Sequence, residues 1–329
     1  MTDHPDAPPA EVPARWGVTY PFDGLPLAAQ GDLVRRCADL GYTDLWSAES
    51  GGHDAFTPLA LASVWAPSLR LGTAIVPVFT RGAHTLASTV ASMAQAAPGR
   101  FALGIGTSSE TIVRNWNGLP FEQPYARVRD TVAFLRAALA GEKVTEDFET
   151  FSVRGFRLGI PVDPMPPILV AALRPGMLRL AGRVGDGAII NWLSPADVRT
   201  VVPHVGAGKE IVARIFVLPV EDRATVLAVG KRAMAAYLTV PVYAAFHEWL
   251  GRGDLLRRTW DLWAAGDRRE AAEAIPDEVV DDLLVWGRPE RCRERIEEYV
   301  ANGVTTPAPA LFAGPDHLPA LLEALAPRR

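Results

Sequence analysis

A chain of 329 residues with 49% hydrophobic and 22% charged side chains can bury a large core, which excludes an intrinsically disordered polymer. Its formal charge of −5 offers no general attraction to nucleic acid or anionic lipid, and the arginines at 127, 129, 288, 291, 293 and 295 are interleaved with acids as on solvated helix faces. No window approaches the roughly 18 uninterrupted apolar residues of a membrane span.

Residues 1–14 lack a basic or apolar signal region and are expected to be a disordered lead-in to one barrel domain over 15–329. From Trp16 onward short apolar strands alternate with amphipathic helices. The first unit has a strand at Gly17–Tyr20, a helix over Leu27–Leu40 and a stop at Gly41. Thr43–Ser47, Leu69–Pro77 and Phe101–Ile105 are predicted as strands two to four, with helices at Thr57–Pro67 and His84–Ala97 between them. A long helix over Tyr125–Ala140 precedes a weak alternation at Phe148–Leu158, expected as a hairpin outside the barrel wall. Strands five to seven follow at Ile168–Ala171, Gly187–Asn191 and Lys209–Val217, with a helix over Gly176–Val184. Arg223–Val285 is helical in pattern and bears Trp249, Trp260 and Trp263. It is too long for one crossover and is expected as a helical insertion before the last strand, near Pro307–Phe312, into which a helix at Glu290–Asn302 leads. The pattern is α/β, a (β/α)₈ TIM barrel with insertions. Cys37 and Cys292 both fall on helices, as free thiols of a reducing, cytoplasmic compartment would.

Four segments at the carboxyl ends of predicted strands carry the chemistry: LGYTDLWSAES, LGTAIVPVFTR, GRFALGIGTSS followed by RNWNGLPFEQPYARVRD, and PPILVAALRPGMLRLAGRVGDGAIINW. Barrel active sites form on that rim from the loops after the strands. In order and spacing, over Trp16–Leu193, these segments resemble the coenzyme F420-dependent branch of the luciferase-like monooxygenase superfamily; GRPERCRERIEEYVANGV resembles its penultimate helix. The resemblance implies an oxidoreductase that transfers a hydride between deazaflavin C5 and a small organic substrate, as a homodimer. The apolar surface of a Trp-bearing insertion points to a dimer as well. The alternatives are an FMN-dependent monooxygenase on the same barrel and a non-catalytic barrel that binds a ligand or a partner.

The resemblance also implies a non-proline cis peptide at Ala74–Ile75 that backs the coenzyme ring, whereas the strand pattern by itself favours an ordinary trans strand. It places Thr107 and Ser108 against the coenzyme, in a turn whose small residues and N–H groups suit a ribityl chain or phosphate. Ala172, Leu173, Arg174, Gly176 and Met177 open a helix with proline in its first turn, where the macrodipole favours the phosphodiester tail. Arg174 is either a ligand for that tail or a surface arginine. Glu49 and Ser50 stand where relatives carry an acid and a histidine near the reactive carbon, and His53, three residues after Ser50, is either its substitute or a solvent-exposed loop residue. Three roles are open to Glu49: coenzyme ligand, general acid or base, or surface carboxylate. Ser109 stands where sugar-phosphate-oxidising relatives have a glutamate, which argues against glucose 6-phosphate as substrate. Trp116 and Trp192 are candidate walls of the substrate pocket, Trp46 and Asn191 weaker ones; Asp186-Gly187 is a turn without chemistry, and no metal site is expected.

Overall fold

The alternation read from the sequence closes into a barrel. The computed structural model describes residues 14–328, so all of the expected lead-in except Ala14 lies outside the described residues. In chain order the first half contains β1 (Gly17–Thr19), α1 (Gly31–Asp39), β2 (Asp44–Ser47), α2 (Phe56–Trp65), β3 (Arg70–Thr73), β4 (Val76–Pro77), α3 (Ala83–Ala96), β5 (Phe101–Gly106) and α4 (Pro124–Leu139). A hairpin of β6 (Val144–Asp147) and β7 (Ser152–Phe156) lies off the barrel wall. Then come β8 (Ile168–Ala171), α5 (Pro175–Val184), β9 (Gly187–Asn191), α6 (Pro195–Val201) and β10 (Glu210–Leu218). The insertion comprises α7 (Arg223–Leu238), α8 (Pro241–Trp249), α9 (Gly253–Ala265), α10 (Arg268–Glu273) and α11 (Asp277–Leu283). The chain ends with β11 (Val285–Trp286), α12 (Pro289–Ala301), β12 (Thr306–Leu311) and α13 (Leu318–Ala324).

The barrel strands pair in parallel in the order β1-β2-β3-β5-β8-β9-β10-β12. The ring closes where the Thr19 hydroxyl donates to the Ala308 carbonyl at 3.1 Å and the Arg15 N–H to Thr305 O at 3.1 Å. Because successive strand side chains alternate, Leu45, Leu71, Leu103, Val170, Ile190 and Ala213 pack outward against the helices. Trp46, Ala102, Leu169, Ile189, Val212 and Ala308 fill the interior. At the amino-terminal end the interior is plugged by charge: Arg70 grips Glu210 through both terminal nitrogens (2.6 and 2.8 Å) and reaches Asp44 at 3.1 Å, while Thr306 donates to Glu210 at 2.9 Å. Burial raises the Asp44 carboxyl above its usual range, with Arg70 opposing. A buried ion cluster is tolerable only when its lone pairs are satisfied in this way.

Four expectations change. The first helix is broken at Gln30, whose buried side chain bonds Phe22 N, Phe22 O and Leu25 O, so Leu27–Ala29 is a separate 3₁₀ turn. The third strand is interrupted after Thr73 and resumes as β4, with Ala74–Ile75 cis as the resemblance implied. The hairpin begins at Val144 because Phe148 and Phe151, ring centroids 4.8 Å apart, form its turn and pack on Phe134. The insertion covers its own tryptophans: Trp260 donates to Leu238 O at 2.9 Å, Arg268 caps the Trp263 ring at 4.0 Å, and Trp249 packs beside Phe246. Among the exposed large apolar side chains only Leu255 belongs to it, so the homodimer expectation rests on the resemblance alone. Cys37 and Cys292 are buried free thiols, and no described helix is long and apolar enough to cross a membrane.

Candidate functional site at the carboxyl-terminal rim

Exposure along the barrel wall is concentrated at one end. Strands β1, β8, β9 and β12 are buried until their last residue, and Ala48, Ala74 and Thr107, just past β2, β3 and β5, are likewise partly exposed. In β10 the one partly exposed residue is Arg214, because the strand runs on beneath the insertion, where Phe216 and Leu218 pack. The barrel is therefore open at its carboxyl-terminal mouth, the rim to which the four motifs were assigned.

Half of that mouth has a floor of small side chains. A Cβ on Gly106 would lie 2.9 Å from the Ala171 Cβ and 3.3 Å from Ile75, so the ends of β5 and β8 and the cis bulge meet there without room for anything larger. The Glu49 N–H donates to Ile75 O at 3.1 Å, tying the loop after β2 to the bulge. The Glu49 side chain is 16% exposed; one carboxylate oxygen is ion-paired with Arg81 and accepts the Ala55 N–H at 3.4 Å, and the other accepts no hydrogen bond among the described residues. Arg81 lies over the Phe56 ring at 4.8 Å and 3.9 Å from Asp54. Burial raises the Asp54 carboxyl, but bonds from Thr57 and Phe56 together with Arg81 outweigh it and leave it below its usual range. Ser50 and His53 are exposed on the same loop.

After β5, Thr107 and Ser108 are partly exposed; Ser108 takes a left-handed backbone (φ 61°) that turns the chain across the rim. A π-type helix over Thr111–Trp116, not expected from the sequence, brings the 60% exposed Trp116 over the loop after β2, 3.1 Å from where a Cβ on Gly51 would lie. After β8, the Ala172 N–H bonds Ile189 O at 3.0 Å and Leu173 packs on the core, while Arg174 is exposed and makes no ion pair among the described residues. Gly176, in the first turn of α5, faces open space: a Cβ there would meet nothing within 4 Å. Its free N–H groups and the helix dipole make this a place for an anion.

The other half of the mouth is polar. Tyr243 of α8 donates to Asn191 Oδ1 at 3.1 Å, and burial holds its hydroxyl well above the ordinary tyrosine range, so it stays a donor. Trp192 is 1% exposed, stacked 3.9 Å from Phe216 in the core beneath the insertion, which leaves it little surface for a substrate. Trp46 is a barrel plug, 1% exposed. Asp186 is a strut, accepting from the Ile168 N–H at 2.7 Å and from Arg136 at 2.6 Å. Sequence reasoning gave no role to Arg81, although it ends the segment LGTAIVPVFTR; its pairing with Glu49, 32 residues away, leaves no local signal. It also missed Arg214, whose signal was present: a charge inside the apolar run EIVARIFVL, in phase with Glu210. Among the described residues no cluster of His, Cys, Asp and Glu could hold a metal ion. A surface hollow of about 430 Å³ between Ala94, Gln95, Pro98 and 161–163 lies beyond the end of α3, at the opposite rim.

The family model described as luciferase-like monooxygenase matches residues 10–306. The 5,10-methylenetetrahydromethanopterin reductase of Methanolobus tindarius is 28% identical over 80% of this chain and 84% of its own. The F420-dependent glucose-6-phosphate dehydrogenase of Beutenbergia cavernae is 29% identical over 78% of this chain and 77% of its own. Among solved structures, the coenzyme F420-dependent tetrahydromethanopterin reductase of Methanopyrus kandleri superposes with a TM-score of 0.78 over 96% of this chain and 98% of that one, at 19% identity. The barrel fold and a family match across nine-tenths of the length agree: the chain belongs to the luciferase-like monooxygenase family.

Proposed function

We propose that this protein is a coenzyme F420-dependent oxidoreductase that moves a hydride between the deazaflavin and a small organic substrate at the barrel mouth. The observation that carries the reading is the pairing of a small-residue floor at Ala74, Gly106 and Ala171 with an unobstructed helix start at Arg174–Met177. A flat ring fits the first and an anionic tail the second. The names of the two curated relatives, one of them F420-dependent as printed, support the same assignment. When bound, the coenzyme supplies a carbon centre that gives or takes a hydride in one two-electron step.

The chain's own part is to bind, orient and manage a proton. Ala74 and Ile75 back the ring, Thr107 and Ser108 donate to the chain beyond it, and 172–177 receive the phosphodiester, with Arg174 adding a charge-assisted bond. In this reading the unengaged oxygen of Glu49 holds or moves a proton at the reacting face. Ser109 in place of a glutamate argues against glucose 6-phosphate as substrate. Anaerobic titration of the purified protein with F420 and with FMN tests the reading: F420 is expected to bind at least tenfold tighter. Equal or tighter FMN binding overturns it in favour of the flavin monooxygenase alternative, and binding of neither leaves a non-catalytic barrel.

A further inference from the structure

We infer that Arg214 and Asn191 form a carboxylate-binding subsite in the barrel mouth, so that the substrate is a small organic acid. The inference rests on reading the mouth as the coenzyme and substrate site, and it specifies the substrate class. Along β10 the side chains of 210, 212, 214 and 216 face inward, since Val212 belongs to the interior and Ala213, Ile215 and Val217 pack outward on the helices. Glu210 and Arg214 are thus the two inward charges of one strand. Glu210 is neutralised by Arg70 at the closed end, whereas Arg214, one layer below Phe216, makes no ion pair among the described residues. Its Nε is buried without a hydrogen-bond partner, and its guanidinium lies over the Phe216 ring at 5.0 Å. Glu49, the acid on the opposite side of the mouth, is already held by Arg81.

Asn191 is the register neighbour of Arg214 on β9. Because Tyr243 donates to its carbonyl oxygen at 3.1 Å, the amide nitrogen is the atom left for a ligand. The pair therefore offers only donors, one of them permanently charged and half-withdrawn from water. A cation in that setting is costly without a counter-ion, and the planar guanidinium fork matches a carboxylate in two parallel bonds. The residues assigned to the coenzyme follow β2, β3, β5 and β8, so an anion on β9 and β10 sits across the mouth from the ring.

The test uses matched probes, acetate against acetamide and benzoate against benzamide, titrated calorimetrically into the protein with and without F420. In at least one pair the carboxylate is expected to bind tenfold or more tighter than its amide. Arg214→Gln should erase that preference, Arg214→Lys should keep part of it, and F420 affinity should stay within threefold in both. Absence of a preference in both pairs for the unaltered protein overturns the assignment, as does a preference that survives Arg214→Gln. A tenfold loss of F420 affinity in Arg214→Gln also overturns it, by giving Arg214 to the coenzyme. Should Arg214→Gln fail to fold, the unaltered protein and the lysine variant still decide. Failure of F420 binding alone would sink the coenzyme reading without touching the carboxylate preference measured on the coenzyme-free protein.

Discussion

Glu49 reaches the rim with one oxygen engaged by Arg81 and the Ala55 N–H and the other without a hydrogen bond among the described residues. Glu49→Gln keeps size and removes charge, so it separates the three roles. With the unengaged oxygen handling a proton, hydride transfer in Glu49→Gln should slow ~100-fold while F420 affinity stays within about threefold, measured by single-turnover absorbance and titration. Weakened binding at an unchanged rate would instead make Glu49 a coenzyme ligand, and no change in either would remove it from the site. The residue was legible in the sequence because it ends a strand motif. Its partner was not, since an ion pair across 32 residues leaves no local trace. Trp116 and Trp192 show the same limit in both directions: equal as sequence candidates, they differ in the structure by 60% against 1% exposure.

At the scale of elements, β2 and β3 are held in register by one large side chain and one missing one. Trp46 and Gly72 are direct neighbours across the two strands, and a Cβ on Gly72 would lie 2.2 Å from the Trp46 ring, which is packed on all sides. Gly72→Ala must therefore push the indole out of the barrel interior, and a loss of about 2 kcal/mol in urea unfolding is expected. In the Trp46→Leu background the same change should cost at least about 1 kcal/mol less, since the clash is gone. A cost below about 0.5 kcal/mol in the unaltered background would show that the interior is not packed as described. The strands themselves were legible from apolar runs bounded by turn residues, several to the residue. The π-type turn at Thr111–Trp116 and the split first helix were not, because each depends on what the segment packs against rather than on its own period.

For the whole molecule, the helical insertion carries a buried histidine. His247 of α8 is fully buried, with neither ring nitrogen well hydrogen-bonded; it lies near the Trp192 backbone, and its pKa is pushed down to about 3, by burial first and by Arg252 second. Unfolded, it takes up a proton near pH 6.5; folded, it does not until about pH 3. Its contribution is therefore complete above pH 6.5 and is lost progressively as the pH falls from there toward 3. Between pH 6.5 and 5 that amounts to about 2 kcal/mol, a loss His247→Leu should not show in urea unfolding at the two values; parallel curves for the two proteins would refute the buried neutral state. The sequence by itself determined the barrel class, the strand order, the helical insertion and the rim on which the four motif segments fall, because hydrophobic period and turn residues are local properties of the chain. Only the tertiary structure decided that Trp46 plugs the barrel, that Trp192 lies under the insertion, that Arg81 holds Glu49 and that Arg214 has no ion pair among the described residues. Each of those outcomes depends on which side chain from a distant strand or loop arrives opposite, and closing the barrel is what brings them together.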